Sequence, residues 1–361
     1  MTAESSSTSH LSAAMTTAQD DVTQATGEST LGSSSSRGAE FYFCCAVIVL
    51  GIVGIVANAL ILYALVASKQ HKKQVLIVNQ NALDLASCSF LAVTYALKIS
   101  NVSLTGRLGY WLCVLLLSEN LLWWAIEGSV INLILITIER YLKVVHPIWA
   151  KKKLRRWMTY LATAFPWAIS LIINMSMTLL SSAVIGGVCH ALSVFEDPVA
   201  KLFHAIFYVL TFYVGMLLIF IFCYGRILVT IRRQASVMAG HGTVGTAHAT
   251  ATQAHAHQIH SNVVKTMIIV CAFYAIAWLP ENVYYLLVNV LQDGELTLAE
   301  SSYYAVVFIA FLYICMNPFL YAAKFDPVKR ILLSMIACSK DDQPPHTIEL
   351  RTASTRTVQQ Q

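Results

Sequence analysis

Charge is what this sequence has least of. Asp, Glu, Lys and Arg make up 12% of the 361 residues, against 57% hydrophobic residues and a mean hydropathy of +0.62. So little charge cannot clothe the surface of water-soluble domains, and the composition is that of a membrane protein. The first 40 residues, rich in Ser, Thr, Ala and Gly, contain no apolar run that could act as a cleavable signal, so the first apolar stretch must itself be the targeting signal. They also contain no Asn, which excludes N-glycosylation there and leaves a disordered outer tail open to O-glycosylation. The nine cysteines follow no framework spacing. Cys44, Cys45, Cys88, Cys223, Cys271 and Cys315 lie within apolar stretches and read as small packing residues. No internal repeat recurs along the chain, and no catalytic constellation stands out.

What is present is a set of seven apolar stretches, approximately 43–67, 74–98, 110–143, 157–184, 203–231, 262–291 and 300–323. Each can cross about 30 Å of hydrocarbon as a helix of roughly 20 residues. The fold class expected is an all-α membrane protein, a seven-transmembrane helix bundle with a short amphipathic eighth helix. Of 24 Lys and Arg, all but Arg37, Lys98, Arg107 and Lys201 fall in the first, third and fifth loops, the adjoining helix ends and the C-terminal tail. Cytoplasmic loops retain basic residues, so the N-terminus is expected outside and the C-terminus inside. The net charge of +5 then reads as inner-leaflet anchoring rather than affinity for nucleic acid. The organisation expected is an outer tail over 1–42, the bundle over 43–323, a membrane-surface helix over 324–338 and a cytoplasmic tail over 339–361.

Two cysteines differ in position from the rest. Cys113 begins the third span and Cys189 follows the fourth, both on the oxidising side, which predicts a disulfide between them. Asn101 heads the sequon Asn101-Val102-Ser103 in the first outer loop. Cys338 closes an amphipathic stretch where palmitoylation is expected. The long inner loop, about 234–260, is low in complexity; its His255-x-His257 spacing lacks carboxylate or thiol partners and reads as a solvated loop rather than a metal site.

Polar groups inside membrane helices each need a partner or a task. Asn58, Asp84, Ser129 and Asn317 lie midway or somewhat inward along four spans and could meet in one cluster. Two readings stand side by side: a hydrogen-bonded knot between helices, or oxygen ligands around a cation. In span three, Leu122, Ser129 and Arg140 are spaced by seven and eleven residues, which returns them to one face. That stripe is about 27 Å long, enough to connect the two membrane surfaces. Pro280 and Pro318 each remove a helical hydrogen bond and permit a static bend or a hinge, and Trp278 is bulky enough to sense what packs above it.

Taken together, Glu139-Arg140-Tyr141 ending span three, Trp278-Leu279-Pro280 in span six and Asn317-Pro318-Phe319-Leu320-Tyr321 in span seven resemble the signature set of rhodopsin-like G-protein-coupled receptors. Asn58, Asp84, Trp167 and Tyr224 sit at fitting distances, and the resemblance covers roughly residues 43–338. It implies a plasma-membrane receptor that activates a heterotrimeric G protein, can engage arrestin, and is not an enzyme. It implies that Glu139 holds Arg140 at rest, and that on activation Arg140 extends toward Tyr224 and Tyr321. It implies an allosteric sodium ion at Asp84, Ser129 and Asn317 and no other cofactor, and it supports the Cys113–Cys189 bridge and a membrane-surface helix carrying Lys329, Arg330 and Cys338.

The departures carry expectations of their own. Cys113 stands 27 residues before Arg140, about two more than usual, which implies a higher start or a local irregularity in span three. Gly215 and Met216 stand where a proline is common, putting the span-five bulge in doubt. His260 stands where some members have an acid, which points to appreciable basal activity. Tyr313 replaces a frequent Asn and Ala277 a frequent Cys.

Leu122 occupies the aspartate position of amine receptors and Phe311 the Schiff-base lysine position of opsins, so neither ligand is expected. The pocket expected is lined by Glu119, Leu122, Trp123, Glu281, Asn282, Tyr285 and Tyr304. Glu119 and Glu281 either pair with a basic group on a peptide or are solvated at the mouth, and Glu127 reads as an interior carboxyl rather than a ligand contact. The reading leans to a peptide ligand, with a lipid or small molecule as the alternative in the same fold. A non-signalling decoy or a transporter is the contrary class, and the missing repeat weighs against the transporter.

Overall fold

The computed structural model of the chain describes residues 30–72, 74–191, 197–240, 247–290, 300–324, 329–331 and 333–334. The tail before residue 30, Cys338, the C-terminal tail and the side chains of Tyr321, His255, His257 and His260 lie outside the described residues. Among the described residues, seven helical spans are long and apolar enough to cross a membrane. Span one is α1 (Thr30–Ala67) and span two is α2 (Val75–Ile99). Span three is built from α3 (Gly106–Leu112), a π turn (Cys113–Leu117) and α4 (Asn120–Val145). After α5 (Pro147–Lys153) comes α6 (Arg156–Ser181), which is span four, followed by a hairpin of β1 (Ser182–Ile185) and β2 (Val188–Ala191). Span five joins α7 (Pro198–Tyr208), a second π stretch (Val209–Val214) and α8 (Gly215–Gly240), while α9 (Ala247–Val290) and α10 (Glu300–Lys324) carry spans six and seven. Helical backbone at 329–331 and 333–334 falls where the eighth helix was expected, with Lys329 and Arg330 exposed.

The boundaries differ from the sequence reading at several places, span five among them, which runs from Pro198 to Gly240 rather than over 203–231. The first helix begins at Thr30, so helix reaches into the segment read as a tail up to residue 42. The sixth begins at Ala247, inside the segment read as a solvated loop; an Ala-rich run without proline continues the helix of the span that follows. Span four ends at Ser181 rather than 184, because Ser182–Ile185 leave the helix for a strand. Their partner strand pairs antiparallel, with Val184 opposite Cys189 and Ile185 opposite Val188. Gly186 (φ 59°) and Gly187 (φ 83°) form the intervening turn, and two consecutive positive φ values are what a tight hairpin of this hand requires and only glycine adopts cheaply.

The end of span three answers to Pro147. The helix stops at Val145, His146 takes a non-helical conformation (φ −125°, ψ 58°), and Pro147 becomes the first residue of α5. A residue before proline is pushed out of the α region, while proline itself is preorganised for a helix start. Pro166, Pro280 and Pro318 instead lie inside continuous helices.

Spans one and two pack along most of their length, and spans two, three and seven surround the centre. Small residues permit the closest approaches. A methyl group added at Gly54 would collide with Cys88 Sγ and stand 2.8 Å from Cys315 Sγ, and one added at Gly128 would stand 2.9 Å from Leu83. Gly54→Val should therefore destabilise the bundle by about 1–3 kcal/mol through overpacking at the one-two-seven junction. A melting temperature of the detergent-solubilised variant equal to that of the wild type would contradict this packing.

Candidate functional site

The two surplus residues near the top of span three are absorbed as an irregularity, as their count implied. The helix widens into a π turn over Cys113–Leu117, breaks at Ser118 and Glu119, and restarts at Asn120. Glu119 has φ 59°, the left-handed region that a glutamate adopts only when its surroundings hold it there. What holds it is visible. Its carboxyl takes an ion pair from Lys98 Nζ at 2.5 Å and a hydrogen bond from Trp123 Nε1 at 3.1 Å, and Lys98 also lies 4.7 Å over the ring of Tyr95. The Cys113–Cys189 disulfide, with Cα atoms 5.3 Å apart, ties the hairpin to the same turn. A second tie runs from Leu104 N to Gly187 O at 2.9 Å. The sequon residues Asn101, Val102 and Ser103 are exposed at this end.

This corrects the expected pocket. Glu119 is buried and already neutralised by Lys98, so it is neither a mouth residue nor an open partner for a ligand cation. Tyr304 is stacked on Phe43 with centroids 4.7 Å apart, Phe43 meets Tyr95 edge-on, and Tyr95 meets Phe311. These rings fill the side of the bundle between spans one, two and seven. Leu122 is fully buried and lines no cavity described here.

The open space lies on the other side, between spans three, four, five and six. A cavity of about 430 Å³ is lined there by Trp123, Glu281 and Tyr285, as expected, and also by Glu127, Asn174, Ser181, His204, Tyr208 and Phe212. Asn282 lines a smaller recess beneath it, which reaches Tyr274 and Trp278 and shares Trp123, Glu127, Tyr208 and Phe212 with the larger one. Glu127, read as an interior carboxyl, is thus a wall residue of both, and its Oε2 accepts a hydrogen bond from Asn174 Nδ2 at 2.6 Å. The signal that could have found it was an acid in mid-span with an amide on the neighbouring helix. At the floor, Trp278 contacts Trp123, Tyr274 and Tyr313 with ring centroids 6.1–6.4 Å apart.

Span five keeps its irregularity without the proline, contrary to expectation. Over Val209–Val214 the helix is of the π type, which disturbs the regular carbonyl partners. Phe212 O accepts Tyr274 OH at 3.0 Å, and in return Tyr213 OH donates to Ala275 O at 2.7 Å. Cross-span bonds from tyrosines stabilise the distortion that a proline would otherwise impose.

Below the recess the polar residues of four spans do meet. Asp84, fully buried, accepts Ser129 Oγ at 2.6 Å and Gln80 Nε2 at 3.3 Å on Oδ1, and Asn317 Nδ2 at 3.1 Å on Oδ2. Gln80 Nε2 also donates to Ser129 Oγ, and Gln80 Oε1 accepts Asn132 Nδ2 at 2.8 Å. Asn132 Oδ1 accepts Asn79 Nδ2, and Asn79 Oδ1 accepts Trp167 Nε1, both at 2.9 Å, so the seam runs from span four to span seven. Asn58 joins through Cys88 Sγ at 3.8 Å, and Cys88 in turn lies 3.6 Å from Cys315 Sγ. No cationic side chain pairs with Asp84 among the described residues, and the buried Asn317 Oδ1 and Asn58 Oδ1 have no hydrogen-bond partner there. A carboxyl, a hydroxyl and a spare amide oxygen are donors that fit a hard cation.

At the far end, Arg140 is buried in line with Ser129 and Leu122, as the stripe predicted. Its restraint is not the expected one. Glu139 Oε1 pairs with Lys143 Nζ at 2.6 Å, one turn along the same helix, in the favourable order of acid before base. Arg140 Nη2 donates to Gln74 Oε1 at 3.3 Å instead, and its buried Nε has no partner among the described residues. Tyr224 OH lies 3.1 Å from Thr137 Oγ1, one turn above Arg140.

Comparison with known proteins adds an independent line. The model of the 7 transmembrane receptor (rhodopsin family) matches residues 57–321. Somatostatin receptor type 5 of Bos taurus is 25% identical over 305 residues, which are 80% of this chain and 74% of that receptor. Neuropeptide Y receptor type 2 of Bos taurus is 23% identical over 313 residues, 82% of this chain and 75% of that receptor. G-protein coupled receptor 15 of Mus musculus is 26% identical over 298 residues, 79% and 76% respectively.

The Lys98–Glu119 pair, a partly buried lysine on a buried acid, should be coupled. Lys98→Met leaves a carboxyl uncompensated and should cost about 2–4 kcal/mol, whereas Lys98→Met with Glu119→Gln should recover most of it. A double-mutant cycle from thermal unfolding that gives no coupling between the two positions would count against the pair.

Proposed function

Because the chain belongs to the seven-transmembrane receptors of the rhodopsin family, we propose that this G-protein-coupled receptor takes an extracellular peptide as its ligand. The observation that carries the reading is the cavity between spans three and six, of about 430 Å³, whose recess ends on Trp278. A volume of that size, with aromatic walls and a few polar points, suits one or two side chains of a peptide. The similarity to receptors named for somatostatin and neuropeptide Y supports the same ligand class. The basic loops support an N-terminus outside, so that the cavity and disulfide face the exterior, with Asn101 glycosylated and Cys338 palmitoylated.

In this proposal ligand contact at Trp123 and Trp278 shifts the packing of span six against span seven, and the seam at Asp84 and Asn317 passes the shift to the Arg140 end. Arg140, Tyr224 and Tyr321 then meet a heterotrimeric G protein, with arrestin and inner-leaflet lipids as further partners of that surface. Glu139, paired with Lys143, is not its latch in the arrangement described here; Gln74 takes that place. Asp84, Ser129 and Asn317 would hold a sodium ion, which supplies the positive charge that the buried carboxyl otherwise lacks and so favours one packing over another.

Arg140→Ala should reach the cell surface and lose stimulated and basal nucleotide exchange on the G protein. Exchange equal to that of the wild type would sink the mechanism. Replacing sodium chloride by choline chloride should raise basal exchange in the wild type and leave Asp84→Asn unaffected. A salt response of the same size in both would remove Asp84 from the cation site.

A further inference from the structure

Two carboxyls that pair with no Lys or Arg among the described residues face one cavity. Glu127 comes from span three and Glu281 from span six, and both line the space that also holds Trp123, Tyr208 and Tyr285. Glu281 is 4% exposed, and neither acid makes an ion pair with a described residue. Tyr208 lines this cavity and the smaller recess beneath it. Among the described residues the cavity wall contains no Lys or Arg; its other titratable groups there are His204, Tyr208 and Tyr285. The contrast with Glu119 is instructive, since that acid is buried at the same end but has Lys98. Among the described residues one acid at this end has a cation and two others have none, which leaves room for the complement to be brought from outside.

Resting on the reading that this cavity is the ligand site, we infer that the group entering it is the guanidinium of an arginine side chain in the peptide, held between Glu127 and Glu281. Acids on two different spans favour a planar group with five donors over a compact ammonium. The rings of Trp123, Tyr208, Phe212 and Tyr285 offer faces on which a guanidinium stacks and its weak hydration is readily replaced. Asn174, already donating to Glu127, fixes that carboxyl so that its remaining lone pairs point to the ligand rather than being lost to a mobile side chain. Bridging spans three and six is also the geometry in which one ligand group can bias span six, to which Trp278 belongs.

The test uses the full chain purified into lipid nanodiscs and three probes: phenylalanyl-arginine amide, its neutral isostere phenylalanyl-citrulline amide, and phenylalanyl-lysine amide. Binding is read directly by calorimetry or by a shift in melting temperature. The arginine probe should bind at least about tenfold more tightly than the citrulline probe, and Glu127→Gln and Glu281→Gln, made separately, should each erase most of that difference. Isosteric Gln retains side-chain volume, and the arginine-to-citrulline comparison in the wild type needs no variant at all. Equal binding of the arginine and citrulline probes, absence of arginine-probe binding at about 1 mM, or an undiminished preference in both variants overturns the proposal. A lysine probe as tight as the arginine probe overturns the guanidinium specifically. Nucleotide exchange and its loss in Arg140→Ala are measured without these probes, so a missing charge preference beside intact exchange leaves the receptor reading standing.

Discussion

Asp84 is a carboxyl in a place where the surroundings cannot solvate it. It is fully buried within the bundle, so the donors it receives come from side chains of the same chain. Ser129, Gln80 and Asn317 supply those donors from spans two, three and seven, and Gln80, Asn132 and Asn79 carry the connection on to Trp167 in span four. Much of the relative placement of the spans follows from this one requirement. Helices that share a satisfied polar seam cannot slide or rotate past one another without leaving buried groups unpaired, whereas apolar faces in lipid give little preference for one register over another.

The same requirement explains which side of the bundle is open. Near the disulfide end, Glu119 is matched by Lys98, and the rings of Phe43, Tyr95, Tyr304 and Phe311 occupy the volume beside it. That half is closed by its own side chains. Across span three, Glu127 has Asn174 as its one hydrogen-bond partner among the described residues and Glu281 faces the cavity, so the unfilled volume and these acids coincide. An irregular helix makes this division. The π turn at Cys113–Leu117 and the left-handed Glu119 re-aim the top of span three, and the π stretch at Val209–Val214 positions Tyr208 and Phe212 on the opposite wall.

Some of this is legible in the sequence. The spans followed from hydropathy, the bridge from two cysteines placed apart from the rest, and the meeting of Asp84, Ser129 and Asn317 from their depth in separate spans. The irregularity in span three was legible as a count, since surplus residues between Cys113 and Arg140 had to go somewhere. The pocket was less legible. Trp123, Glu281 and Tyr285 were found, but Glu119, Leu122 and Tyr304 face packed neighbours and Glu127 does not. Helical periodicity assigns faces only while the helix is regular, and at Glu119 it is not. The Glu139–Arg140 pair failed for a related reason. Adjacent residues on a helix point in different directions, and a lysine one turn on competes better for the acid.

The sequence by itself determined the membrane fold, the number of spans, the stop at Pro147 and the stripe from Leu122 to Arg140, because hydropathy, proline geometry and helical period act along the chain. Only the tertiary structure decided which buried acid has a cation and which does not. That distinction depends on Lys98 reaching Glu119 from another helix, and on no Lys or Arg among the described residues lining the cavity with Glu127 and Glu281. Electrostatic pairing acts through space over a few ångströms, and linear order does not encode such distances.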